Sequence, residues 1–367
     1  MEKKKIGIVG IGGFGHFLVD AYAQIDTAEV YAVCDRDEKI VTALAESKGI
    51  AHVFFEYEKM LALEEVDIIV IATPPFLHGP MAEQALAAGK YVVCEKPLAT
   101  AVEDADRIRG ALEKAGTGLT MNFVVRKNPL SIVLKKIFSA GILGKVQSFT
   151  FTNHASNWKL PKEHWFWDQK KSGGIWIEHG VHFFDLMQYL LESAPSSVMA
   201  SGGKRYMDRD MISAMLQYEN GVMGSFTHSF TMPKDTELCR TRFVTDAGYV
   251  DLMGWIPERI QIEAVMTRQQ QSVLMDHLSG FRITENVSGD SGEVRLLGER
   301  IQADTRVSLA VETGKEKPEL YQDALRDIMR DFIGLIEDGA GAEIGYAQAR
   351  EAFDVAMECT KQSHDNI

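Results

Sequence analysis

An apolar segment, Lys5 to Gly10, runs directly into glycines at positions 10, 12 and 15 and then into the amphipathic run Phe17, Leu18, Ala21 and Tyr22. A strand, a glycine turn at the GxGxxG spacing and a helix, in that order, open a βαβ unit. An acid, Asp35, stands twenty residues after Gly15 at the end of the next apolar run, Val30 to Cys34. The residue types fit one chemistry. Gly10 allows a tight turn, Gly12 lets the backbone approach a pyrophosphate, and the helix behind them offers unsatisfied amides to that anion. Gly13, Phe14 and Gly15 complete the loop, and Asp35 would accept hydrogen bonds from the adenosine ribose. A carboxylate there favours NAD over NADP, because it would repel a 2′-phosphate. Arg36, next to it, softens that preference, so NAD is expected and NADP is allowed.

The alternation continues. Asp37 is placed to cap a helix that Gly49 ends. Val66 to Ala72 is continuously apolar, as a parallel strand buried on both faces should be. A helix from about Leu77 to Ala88, a strand Tyr91 to Cys94, a helix with a capping box at Thr100 and Glu103, and a strand Leu119 to Phe123 follow. Residues 1–124 therefore read as an α/β domain, a doubly wound parallel Rossmann sheet.

Beyond a helix at Pro129 to Ala140 the pattern changes. Val146 to Asn153 alternates, Met211 to Tyr218 and Val222 to Phe230 flank the hairpin turn Asn220-Gly221, and Arg240 to Thr245 pairs across Asp246-Ala247-Gly248 with Tyr249 to Leu252. Residues 125–367 are expected to form an α+β domain, a mostly antiparallel open sheet with helices on one face. Residues 268 to 303 read as a protruding strand pair or loop, and two helices, about Leu320 to Ile336 and Tyr346 to Lys361, close the chain.

At 367 residues two domains are expected, and 46% hydrophobic with 25% charged residues is ordinary for a soluble protein. The net charge of -13 is spread without an acidic or basic block, which argues against nucleic acid as a partner. No apolar run reaches the roughly 18 residues of a membrane span. Cys34, Cys94, Cys239 and Cys359 form no CxxC pair, and Cys34 and Cys94 lie in apolar runs as core-filling thiols. The glycine-broken start reads as a first strand and not as a leader, and the cytoplasm is the expected compartment.

Two segments fall at carboxyl ends of strands, where ligands bind in open α/β sheets: Ala72-Thr73-Pro74-Pro75 with His78, and Cys94-Glu95-Lys96-Pro97. Lys96, between a carboxylate and a rigid proline, is suited to hydrogen-bond a substrate hydroxyl; as a mere surface lysine it would pair with Glu95. A third segment, Ser172 to Leu186, carries Glu178, His179, His182 and Asp185 within eight positions. As a helix it would put Glu178, His182 and Asp185 on one face, with Ile177, Val181, Phe184 and Met187 holding the core. An acid beside an imidazole is a proton-transfer pair or a self-satisfied buried pair.

These motifs, with Arg126 and Pro129 and with Gly173-Gly174 before Asp185, resemble those of the glucose-fructose oxidoreductase / inositol dehydrogenase / MocA (Gfo/Idh/MocA) family, in the family's order. The resemblance implies that Lys96 contacts the reacting hydroxyl and the nicotinamide ribose, and that His182 is the general acid/base. It implies that Thr73, Pro74, His78, Glu95, Asn122 and Trp165 belong to the cofactor site. Arg126, Trp165, Glu178, His179 and His182 are the expected substrate contacts, with Glu178 orienting His182. Three positions depart from the pattern: Glu178 where Asp is common, His179 where a small or apolar residue is common, and Phe166 where Arg is common. Adjacent helical residues such as Glu178 and His179 point about 100° apart, so no metal is expected.

The expected function is hydride transfer between nicotinamide and a secondary alcohol of a sugar, cyclitol or related polyol. Two alternatives share the fold: an NAD-dependent glycosidase or lyase that oxidises its sugar transiently, and a dinucleotide-binding regulator without catalysis. A homodimer or homotetramer through the open sheet is expected, with no nucleic-acid or membrane partner.

Overall fold

A computed structural model describes residues 3–158, 160–203, 210–296, 298–339 and 345–365. The chain forms two compact units. The first comprises Met1–Val124, Lys162–Asp185 and Tyr321–Met357, and the second Val125–Pro161, Leu186–Leu320 and Glu358–Ile367.

In the first unit β1 (Lys4–Val9), α1 (Gly13–Tyr22), β2 (Ala28–Cys34), α2 (Glu38–Lys48), β3 (His52–Phe54), α3 (Tyr57–Leu61), β4 (Ile68–Ile71), α4 (His78–Ala87), β5 (Tyr91–Cys94), α5 (Val102–Ala115) and β6 (Leu119–Met121) alternate. The sheet order is β3-β2-β1-β4-β5-β6, every pairing parallel, which is the expected doubly wound sheet. β4 is buried along its whole length, as a strand covered on both faces must be. Asp37 caps α2 through the amides of Lys39 and Ile40, and Gly49 ends it in the left-handed conformation. The expected Thr100–Glu103 box does not form. α5 begins one residue later, with Ala101 at the cap and no side-chain capping bond.

In the second unit α6 (Pro129–Ser139) precedes β7 (Val146–Ser156). α7 (Gln169–Ser172) belongs to the first unit, and α8 (Val181–Leu191) begins in that unit's segment Lys162–Asp185 and ends in the second unit's segment Leu186–Leu320. β8 (Pro195–Gly203), β9 (Met211–Tyr218), β10 (Met223–Met232), β11 (Leu238–Thr245), β12 (Gly248–Met253), β13 (Arg259–Met266), α9 (Arg268–His277), β14 (Arg282–Asp290), the ribbon β15 (Arg295–Leu296) and β16 (Glu299–Arg300), and β17 (Thr305–Glu312) follow. α10 (Lys317–Glu337) and α11 (Tyr346–Asp365) end the chain. Nine strands form one sheet, β14-β17-β13-β12-β11-β7-β10-β9-β8, antiparallel except where β7 and β10 run parallel. Strict alternation of buried and exposed residues in β9 shows one covered face and one open face. Residues 268 to 303 differ from expectation, since they begin with a helix. Thr267 and Gln270 form a reciprocal capping box that starts α9 before the strand β14.

Candidate active site

The parallel register levels the carboxyl ends of the strands. Val9 pairs with Cys34 and with Ile71, Ile71 with Cys94, and Cys94 with Met121. The next residue of each strand is tied to its neighbour: Gly10 N–H donates to Cys34 O, Ala72 N–H to Val9 O, Glu95 N–H to Ile71 O and Asn122 N–H to Cys94 O. Thus the glycine turn, Asp35, Thr73, the Glu95-Lys96 pair and Asn122 stand in a row along one edge because of backbone geometry alone.

The glycines divide into two kinds. Gly10 has φ of 92°, and a Cβ there would lie 2.6 Å from the Ala72 carbonyl carbon. A Cβ on Gly15 would lie 2.1 Å from Gly10 O, so the turn itself demands glycine at both positions. Around Gly12 and Gly13 a Cβ would meet nothing within 4 Å. Nothing among the described residues requires glycine there. The space they leave open belongs to a cleft of about 690 Å³ that the glycine turn shares with Asp35, Arg36, Thr73 and Pro74. α1 starts at Gly13 with no side chain capping its amides, which leaves donors for an anion. The Asp35 carboxylate accepts the Ile11 amide at 2.6 Å and the Asp37 amide at 2.9 Å, and each oxygen keeps a lone pair for a hydroxyl. These features fit a dinucleotide.

The cleft has a wall that local sequence did not announce. Trp165 lines it, together with His164 and Lys171 of the same excursion. Phe166, where the family often has Arg, is buried and packs edge-on to Trp167 at 4.9 Å. From the C-terminal part, Tyr321 packs its ring on Phe14 and Phe17 at 5.7 and 5.3 Å. No periodicity or motif in the sequence points to Tyr321.

His78 is buried, with Nδ1 2.7 Å from Pro97 O and Nε2 2.8 Å from Thr73 O, so it ties the two strand-end segments together. Burial lowers its pKa, against the two carbonyls, which favour the charged ring. It supports the cofactor loop and does not line the cleft. Asn122 and Glu95 are also buried: the Asn122 amide donates to Glu95 Oε1 at 2.6 Å and to the Tyr22 hydroxyl at 3.3 Å. Burial pushes the Glu95 carboxyl up to about 7, against the lowering effect of Asn122 and Lys96.

Lys96 finds a partner 82 positions away. Its Nζ donates to the Glu178 backbone oxygen and to Glu178 Oε1, both at 2.7 Å, with only 14% and 13% of the two side chains exposed. Glu178 therefore holds Lys96, and not His182 as the helical spacing suggested. The reason is local. Trp176–Gly180 is a π-helical turn ahead of α8, so the i, i+4 relation of a regular α-helix does not apply across it. His182 is buried against the edge of Phe123, with His179 at 6.2 Å between ring centroids. Burial, then the charge of Lys96, then His179 hold its pKa well below the usual histidine range. His179 is less buried and touches the Phe183 ring at 5.6 Å. Arg126 lies in the second unit, its guanidinium over the Tyr189 ring at 5.1 Å. Among the described residues no group of three or more His, Cys, Asp or Glu is placed to hold a metal, and no helix is long and apolar enough to cross a membrane.

Two family models match the chain: an oxidoreductase family with an NAD-binding Rossmann fold over residues 4–123, and the GFO/IDH/MocA C-terminal domain over residues 132–251. The chain belongs to the Gfo/Idh/MocA family. Its first unit is accordingly an NAD-binding Rossmann fold. Glucose-6-phosphate 3-dehydrogenase of Bacillus subtilis is 29% identical over 194 residues, covering 52% of this chain and 54% of that enzyme. Inositol 2-dehydrogenase of Rhizobium meliloti is 28% identical over 238 residues, covering 61% and 68%. The matches to that glucose-6-phosphate 3-dehydrogenase and to two uncharacterized oxidoreductases, of Bacillus subtilis and Streptococcus pneumoniae, span only 54%, 66% and 60% of those proteins. Among solved structures, levoglucosan dehydrogenase with NADH and levoglucosan superposes with a TM-score of 0.79 at 16% identity, over 100% of this chain and 98% of that one. An oxidoreductase domain protein from Kribbella flavida gives 0.79 at 20%, over 100% and 98%. At such identities the Gfo/Idh/MocA architecture is what these structures share with the chain.

Proposed function

We propose that this Gfo/Idh/MocA protein is an NAD(P)-dependent dehydrogenase acting on a secondary alcohol of a sugar, cyclitol or related polyol. The observation that carries the reading is the state of Lys96. A lysine at the edge of the Rossmann sheet gives two of its three N–H groups to Glu178 and is thereby held with one donor to spare. That donor is suited to the oxygen of a substrate hydroxyl, where it stabilises the negative charge that grows as the proton leaves. His182, kept neutral by burial and by Lys96, is the acceptor for that proton. Glu178 acts as a positioning residue for Lys96. Bound NAD supplies the two-electron acceptor for the carbon–hydrogen bond that breaks. His179 and Trp165 are proposed to contact substrate.

The substrate class follows the relatives, whose names include inositol 2-dehydrogenase and 1,5-anhydro-D-fructose reductase. Replacing Lys96 by Met removes the donor and keeps the stem. Turnover of a polyol panel, followed as NADH absorbance, should fall at least about a thousandfold with NAD affinity nearly unchanged. Full activity in that variant would end the assignment.

We further propose that a second copy of the chain covers the open face of the nine-stranded sheet. Met199, Met215 and Met223, on the adjacent strands β8, β9 and β10, are 69%, 56% and 45% exposed, and Met199 and Met215 are direct cross-strand neighbours.

A further inference from the structure

The glycine turn presents amides but no cation, and a dinucleotide brings two negative charges on its diphosphate. Of the residues that line the cleft, Arg36 and Lys171 are the cations. They reach it from opposite sides of β1. Arg36 follows β2, and the helix that carries Lys171 packs on the Pro75–Leu77 turn that follows β4; in the sheet, β1 lies between β2 and β4. Arg36 stands beside Asp35, at the ribose end. Lys171 stands on the side of the turn away from Asp35. We propose that Lys171 is the cation that holds the dinucleotide's diphosphate over the glycine turn, with His164 as a second donor from the same wall. The proposal rests on the dinucleotide reading above and assigns residues that no glycine motif includes.

Three observations support it. The Phe166 amide donates to His164 Nδ1 at 3.2 Å, so the neutral ring carries its proton on Nε2 and can act as a donor there. Phe166 is 6% exposed and seats the segment by burial, and Trp165, His164 and Lys171 of that segment line the cleft. Lys171 pairs with Asp168 only loosely, at 3.4 Å with both side chains about half exposed, so its ammonium has donors left for phosphate oxygens. Asp168 would repel a diphosphate if Lys171 were absent, which adds to the effect of removing that charge.

The test compares wild type with Lys171→Met and Lys171→Arg by calorimetric titration of NAD and ADP-ribose, and by ligand-observed NMR titration of adenosine, which lacks phosphate. Lys171→Met should bind NAD and ADP-ribose about tenfold more weakly and lose part of the salt dependence, while adenosine is unchanged and Lys171→Arg keeps most of the affinity. Wild-type affinity of Lys171→Met for ADP-ribose would overturn the proposal. So would an equal loss for adenosine, which would make Lys171 a packing residue of the cleft wall. Failure of the wild-type protein to bind both NAD and ADP-ribose would instead refute the cofactor reading itself.

Discussion

Replacing Glu95 by Gln should make the protein more stable, increasingly so as the pH rises. Glu95 is a carboxyl with 7% of its surface exposed, hydrogen bonds from Asn122 and from the Lys96 amide, and a neighbour, Lys96, whose ammonium gives two of its donors to Glu178. Its folded-state value of about 7 stands above the ordinary 4.5, chiefly through burial. A carboxyl displaced upward supports the folded state fully only below about 4.5, where both states are protonated, and that support is lost as the pH rises through 7. The displacement corresponds to about 3 kcal/mol when both states are ionised, and about 2–3 kcal/mol of it develops between about pH 5 and 8. Glutamine keeps the acceptor for Asn122 and never ionises. Urea unfolding of both proteins at half-unit pH intervals measures the difference. His78 and His182, whose lowered values favour folding at high pH instead, contribute equally to both curves and cancel. The stability gap between variant and wild type should widen by about 2–3 kcal/mol from about pH 5 to 8. A gap that stays constant over this range would refute the argument, because it would place the ionisation of Glu95 outside it.

Gly12→Ala and Gly15→Ala should separate ligand binding from folding. Alanine at 12 meets nothing within 4 Å among the described residues, so stability should stay within about 1 kcal/mol of wild type while NAD affinity falls at least about tenfold by calorimetry. Alanine at 15 would collide with Gly10 O and should destabilise by several kcal/mol in urea. Met215→Glu, a charge on the open sheet face, should convert a wild-type dimer or tetramer to monomer in sedimentation velocity; a monomeric wild type would end that proposal.

What was legible from the residues was whatever short-range chemistry controls. The strand–glycine turn–helix, Asp35 at the end of β2, the Asp37 and Gly49 caps and the Asn220-Gly221 hairpin are each decided within a few residues of sequence. The same locality explains a miss that could have been avoided, since Thr267 and Gln270 carry the capping-box spacing that starts α9. The Thr100–Glu103 spacing carries the same signal, yet α5 starts at Val102.

By itself the sequence determined that a dinucleotide-type parallel sheet comes first and a mostly antiparallel sheet second, because strand period, helix period and turn residues are local properties. It also placed Lys96, Glu178 and His182 among the residues to watch. Tertiary structure decided who partners whom. Lys96 takes Glu178 from 82 positions away, a π-helical turn shifts the expected Glu178–His182 alignment, and residues 162–185 and 321–357 belong to the first unit, with His164, Trp165 and Lys171 lining its cleft. Pairing across such separations depends on where the backbone brings two side chains and on how much water remains between them, and neither is encoded in any single stretch of the chain.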